Sequence, residues 1–208
     1  MVPASFANFF LATAGAGGAL IGLLFVAISI SPERIFSEGA PRERQAVASG
    51  AFTALVNAFF ISAAALIPGA NLGDAALALS AVGLLNTVRI GFELTRYHLR
   101  RPRRDYRDLA LRLARAASVT VVSLVLYVLQ ASHAWDLVQH PNATGDIYGI
   151  CSLILAIYGV GLTRAWELLG APRGGLLSFL NPLAGLSEPP EPANPTPAEP
   201  AIPAKDAR

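Results

Sequence analysis

From Phe6 to Ile30 no residue carries a charge, and the polar side chains in that stretch are only Asn8, Thr13 and Ser29. As an α-helix the run is about 37 Å long at ~1.5 Å per residue, enough to cross ~30 Å of bilayer hydrocarbon. A helix apolar on every side has no stable place on the surface of a water-soluble domain. In hydrocarbon it satisfies its own backbone hydrogen bonds, so the segment is expected to be a transmembrane helix. The glycine-rich TAGAGGALIG inside it, Thr13 to Gly22, is not a phosphate loop. A dinucleotide fingerprint counted from Gly15 and Gly17 would need glycine where Leu20 stands, and a P-loop needs a lysine, of which none precedes Lys205. The run is also longer than a signal-peptide core and lacks a basic leader, so it is expected to remain as a helix.

Four further apolar runs follow, giving expected spans at 6–30, 47–67, 75–92, 116–134 and 147–168. The third has Arg89 inside its end and Glu93 just beyond, and the fifth has Arg164 and Glu167 inside its last turns. The connections test whether both are spans. Arg34, Arg42 and Arg44 lie between the first and second runs. Arg96, Arg100, Arg101, Arg103, Arg104, Arg107, Arg112 and Arg115 lie at and between the third and fourth, and Arg173, Lys205 and Arg208 follow the fifth. The connections 68–74 and 135–146 contain neither Lys nor Arg. Basic connections thus alternate with neutral ones, as the positive-inside rule requires of five helices. The expected fold is an all-α integral membrane protein, a bundle of five transmembrane helices with the N-terminus outside and the C-terminus in the cytoplasm.

Composition agrees: 14% of the 208 residues are charged, against about a quarter in an ordinary soluble domain, so residues 1–170 are expected to form one membrane domain. Ser31-Pro32-Glu33 has the cap, proline and acid that start a short helix after the first span. Ala40-Pro41 precedes a second start that runs into the next span. Ile67 to Asp74, IPGANLGD, is a tight turn that makes the second and third spans an antiparallel hairpin. Residues 171–186 are apolar but too short to span, which suits an interfacial segment. Residues 187–208 are rich in Pro, Ala and Glu and are expected to be a disordered, extended cytoplasmic tail.

On a helix Ala14, Gly18 and Gly22 recur every four residues, with Ala12 and Ala16 beside them. Small residues at that spacing let two helix backbones approach closely, so this face is expected to pack against another helix. Asn57 and Asn86 are intramembrane polar residues suited to hydrogen bonding between helices, as is Asn8 nearer the N-terminus. Arg89 and Glu93, one turn apart near the end of the third span, can pair on one face; at that depth Arg89 reaches the headgroup level. Arg100, Arg101, Arg103 and Arg104 suit contact with anionic lipid headgroups, and topology alone accounts for their clustering. A polybasic cluster beside membrane helices points to lipid rather than to nucleic acid, which is not an expected partner.

The outer connection holds His133, Asp136 and His140, with Asp146 further on. Imidazoles and carboxylates bind divalent metals, yet seven residues of straight helix separate the two histidines by about 10 Å, so a metal site would need a bend. Trp135 and Tyr148 suit a membrane interface instead. Cys151, the single cysteine, lies among Ile150, Leu153 and Ile154, a setting for an inert buried thiol. No histidine sits at the middle of a span to hold a haem, and no Ser, His and Asp share one depth for a triad. Asn142-Ala143-Thr144 fits a glycosylation sequon, which loses its meaning in the bacterial source that the excess of arginine over lysine suggests.

No enzyme motif and no cofactor is implied. The expected protein is a structural or accessory component of a bacterial plasma (inner) membrane. Its expected partners are membrane lipids, anionic ones included, and a membrane-protein partner or a second copy of itself. The alternative is a small solute or ion transporter or channel, with Arg89 and Glu93 on its path.

Overall fold

The computed structural model describes residues 2–30, 42–100 and 106–168; within them the side chains of 43, 98–100 and 106–119 are not described. A 3-10 turn, Ala4–Phe6, leads into α1 (Ala7–Ile30), and four more helices follow: α2 (Arg42–Ala65), α3 (Leu72–Arg100), α4 (Tyr106–Gln139) and α5 (Thr144–Leu168). No strand occurs among the described residues, and all five helices are long and apolar enough to cross a membrane. The expected starts around Ser31, the interfacial 171–186 and the tail 187–208 lie outside the described residues.

Helix α2 ends at Ala65, two residues before the end of its apolar run, because the chain turns there. Ala70 N–H donates to the Ile67 carbonyl at 3.2 Å, with Pro68 in the second position and Gly69 in the third at φ 79°. Those are the residues a type II turn asks for, since only glycine takes that φ without strain. Asn71 then caps α3, its Oδ1 accepting the Gly73 N–H at 2.9 Å. Between α4 and α5 a second turn closes from the Ala143 N–H to the His140 carbonyl at 2.9 Å. At the opposite end α3 and α4 continue past their apolar runs. The 34 residues of α4 make a helix of about 51 Å, far longer than hydrocarbon requires. We call this the Arg-rich end.

Helices α2, α3, α4 and α5 form a closed ring, each packed on the next and α5 returning to α2. Helix α1 lies outside the ring along α2, with a smaller contact to α5. Its buried stripe is Phe10, Thr13, Gly17 and Leu24, at helical spacing. Three helices are stitched together there. Tyr158 of α5 donates its hydroxyl to the Thr13 carbonyl at 2.7 Å, and the Thr13 hydroxyl donates to Ser62 Oγ of α2 at 2.8 Å. Ser62 in turn donates to the Ala58 carbonyl at 2.8 Å.

Within the described chain the close approach falls one residue away from the expected Ala14, Gly18 and Gly22 face. Gly17 makes the close approach: a Cβ there would run into the Tyr158 hydroxyl and lie 3.0 Å from Phe59 Cβ. Gly18 is exposed, with Phe59 Cε2 at an ordinary 3.7 Å; Gly22 is exposed with nothing within 4 Å, and Ala14 is half-buried. Phe10 and Leu24, both large and buried, share the stripe of Gly17, so Gly17 and not its neighbour meets the ring.

The surface is inverted relative to a water-soluble domain. Large apolar side chains point outward on every long helix, including Leu23, Phe60, Leu85, Val125 and Leu155, while Asn57, Ser62, Ser80 and Gln130 are buried inside. Hydrocarbon accepts the first set without cost; of the second, Asn57 and Gln130 donate to carbonyls of α3, Ser62 accepts from Thr13 of α1, and Ser80 donates to the Ala76 carbonyl of its own helix.

Candidate functional site

Inside the ring, toward the Arg-rich end, lies a cavity of about 20 Å³, room for about one water molecule. All four ring helices line it: Gly50 and Thr53 from α2, Asn86 and Thr87 from α3, Thr120, Ser123 and Tyr127 from α4, and Arg164 from α5. Two glycines make the room. A Cβ on Gly50 would run into the Arg164 guanidinium, and one on Gly83 would lie 2.6 Å from the Tyr127 ring. Bare backbone at these two positions therefore lets a long cation and a phenol turn inward between helices that are otherwise closely packed.

The polar groups are unequally satisfied. Arg164 Nη2 donates to Ser123 Oγ at 3.3 Å, while Arg164 Nε is buried with no partner. Asn86 Nδ2 donates to Thr53 Oγ1 at 2.7 Å, which leaves the Thr53 hydroxyl hydrogen to point elsewhere. Thr87 donates back to the Gly83 carbonyl at 2.8 Å. No carboxylate among the described residues lines the cavity, and the contact of His133 with Asp146 is at the other end of the ring. Glu167 follows Arg164 on α5 without forming an ion pair to it among the described residues. The cavity thus presents a guanidinium and hydroxyl donors with no anionic acceptor.

Of the residues singled out in the sequence, Asn86 lines this cavity. Asn57 lies deeper, its Nδ2 donating to the Leu79 carbonyl of α3 at 3.0 Å; its Oδ1 has no partner, and neither does Oε1 of the buried Gln130. Asn8 is exposed. Arg89 and Glu93 do not form the expected pair: both are exposed on α3, and Arg89 donates to Asn86 Oδ1 at 3.3 Å. One turn of helix places them near each other, but Arg89 reaches back to the amide three residues earlier. Arg101, Arg103 and Arg104 lie outside the described residues, and of Arg100 only the helical backbone is described.

The outer histidines and acids do not converge. His133 Nδ1 meets Asp146 Oδ1 at 2.8 Å, tying the end of α4 to the first turn of α5, and the imidazole ring lies over Gly149. Asp136 and His140 are exposed, and the described residues hold no group of three that could bind a metal ion. A continuous α4 through Gln139 keeps the bend that a site needs from forming. Cys151 is buried and free.

Arg164, Tyr127, Ser123 and Thr53 were missed in the sequence as a set. The signal available was Arg164 itself, a charge inside an apolar run, together with Ser123 and Tyr127 one turn apart on α4. Comparison with known protein families, curated proteins and solved structures yields no match.

Proposed function

We propose that the protein is a structural or accessory component of a membrane, most simply a bacterial plasma membrane. In this reading α1 to α5 cross the bilayer with the N-terminus outside and the Arg-rich end in the cytoplasm, where Arg100, Arg101, Arg103 and Arg104 meet anionic headgroups. The observation that carries the accessory role is the position of α1. It is held to the ring along one stripe only, and its remaining surface, with Leu11, Leu23, Phe25 and Val26 and the small residues Gly18 and Gly22, is left uncovered by the described residues. A helix of that kind can dock a further membrane helix without disturbing the four-helix ring.

Cysteine at Gly22, in a Cys151→Ser background, is expected to form a discrete cross-linked species when whole membranes are treated with a permeable bifunctional thiol reagent. The position has open space, so the side chain itself costs little. A product seen only as monomer, at Gly22 and at Gly18 alike, contradicts the accessory reading.

A small-ion transporter is the second reading, and the polar cavity favours it. Its key residue would be Arg164 rather than Arg89 or Glu93, which face away from the ring interior. Ion flux into liposomes that Arg164→Gln abolishes would support it.

A further inference from the structure

We propose that the cavity at Arg164 is a binding site for one monatomic anion of the halide class. A guanidinium taken into a helical bundle needs a negative partner or a full set of acceptors, because an uncompensated buried charge costs several kcal/mol. Arg164, half-buried, is attracted by Glu167 one turn on but forms no ion pair with it, and it has one long bond to a serine hydroxyl, a buried Nε–H without an acceptor, and no carboxylate in the cavity. Two further groups there can offer hydrogens. Thr53 Oγ1 is already engaged as an acceptor by Asn86, so its own hydrogen is available, and the Tyr127 hydroxyl lines the same space.

Donors from α2, α4 and α5 around a space lined by no carboxylate among the described residues describe an anion site. Size sets the class. A cavity of about 20 Å³ suits a single monatomic anion better than a tetrahedral oxyanion or a lipid phosphate group. Gly50 and Gly83 are part of the device, since a side chain at either would fill the place of Arg164 or Tyr127. The site goes beyond the accessory reading and does not depend on it: an anion bound here joins three helices whether or not α1 docks a partner and whether or not the anion ever crosses.

The test uses the full chain purified in detergent, with thermal stability measured in sodium bromide against sodium gluconate and sodium phosphate at matched ionic strength. Bromide is expected to raise the melting temperature saturably, phosphate and gluconate are not, and Arg164→Gln is expected to abolish the bromide effect. Tyr127→Phe and Thr53→Val keep the guanidinium and serve if Arg164→Gln does not fold. Each removes one donor to an ion and is expected to weaken half-saturation about tenfold. In crystals grown with bromide, an anomalous peak is expected beside Arg164 and Tyr127. Equal stabilisation by phosphate, a bromide response retained in Arg164→Gln or in both hydroxyl variants, or the lack of an anomalous peak would overturn the site. None of these outcomes bears on cross-linking at Gly22.

Discussion

Gly73→Ala is expected to destabilise the detergent-solubilised protein by about 3 kcal/mol, the upper range for overpacking a closely fitted interior. The reason is that the atoms in the way are backbone. A Cβ on Gly73 would lie 2.5 Å from Val138 N, 2.7 Å from the Ala134 carbonyl oxygen and 2.8 Å from Leu137 C. A flexible side chain could swing aside; the last turns of α4 cannot, and Ala134 and Leu137 are themselves fully buried. The start of α3 would have to lift off α4, breaking the ring at the seam between them. Gly15→Ala, where nothing lies within 4 Å, is the control and is expected to leave the melting temperature unchanged or slightly raised, since alanine favours a helix. Equal melting temperatures for Gly73→Ala and the parent would show that α3 and α4 do not approach closely there.

The second large effect is expected at Gly17. Gly17→Leu places a side chain where the Tyr158 hydroxyl and Phe59 lie, so it forces α1 away from both α2 and α5. It also costs the Tyr158 bond to the Thr13 carbonyl, worth about 1 kcal/mol, on top of ~1–3 kcal/mol for overpacking. Gly22→Leu meets open space and is expected to fall within about 0.5 kcal/mol of the parent. Tyr158→Phe separates the two contributions, since it removes the bond and keeps the ring. Thermal melts of the three variants in one detergent make the comparison. A larger loss at Gly22 than at Gly17 would mean that α1 is rotated relative to the arrangement described.

That contrast also shows where the sequence stops being legible. Five helices could be read because charge-free runs and arginine placement are properties of whole segments, and no packing detail alters them. The turn at Ile67 to Ala70 was legible for a different reason: proline and glycine restrict the backbone locally. The rotation of α1 was not, because Gly17 and Gly18 are adjacent and both belong to small-residue series at a spacing of four, Thr13 with Gly17 and Ala14 with Gly18. Only the contacts of Phe10, Thr13 and Tyr158 choose between them. The cavity was illegible for a similar reason. Thr53, Ser123 and Tyr127 are unremarkable within apolar helices, and what makes them a set is the closure of the ring, a long-range property. Arg89 misled because one turn of separation from Glu93 permits a pair without requiring it, and Asn86 competes for the guanidinium.

The central claim is that these five helices cross a membrane with the Arg-rich end in the cytoplasm. Single cysteines at Arg104 and at Asn142, each in a Cys151→Ser background, test it on intact cells with a membrane-impermeant thiol reagent. Asn142 lies in the exposed turn between α4 and α5, at the end away from the arginines. Labelling at Asn142 in intact cells, and at Arg104 only after the membrane is opened, is the result expected. Labelling at Arg104 but not at Asn142 in intact cells would contradict the orientation, and labelling at both would contradict the crossing itself.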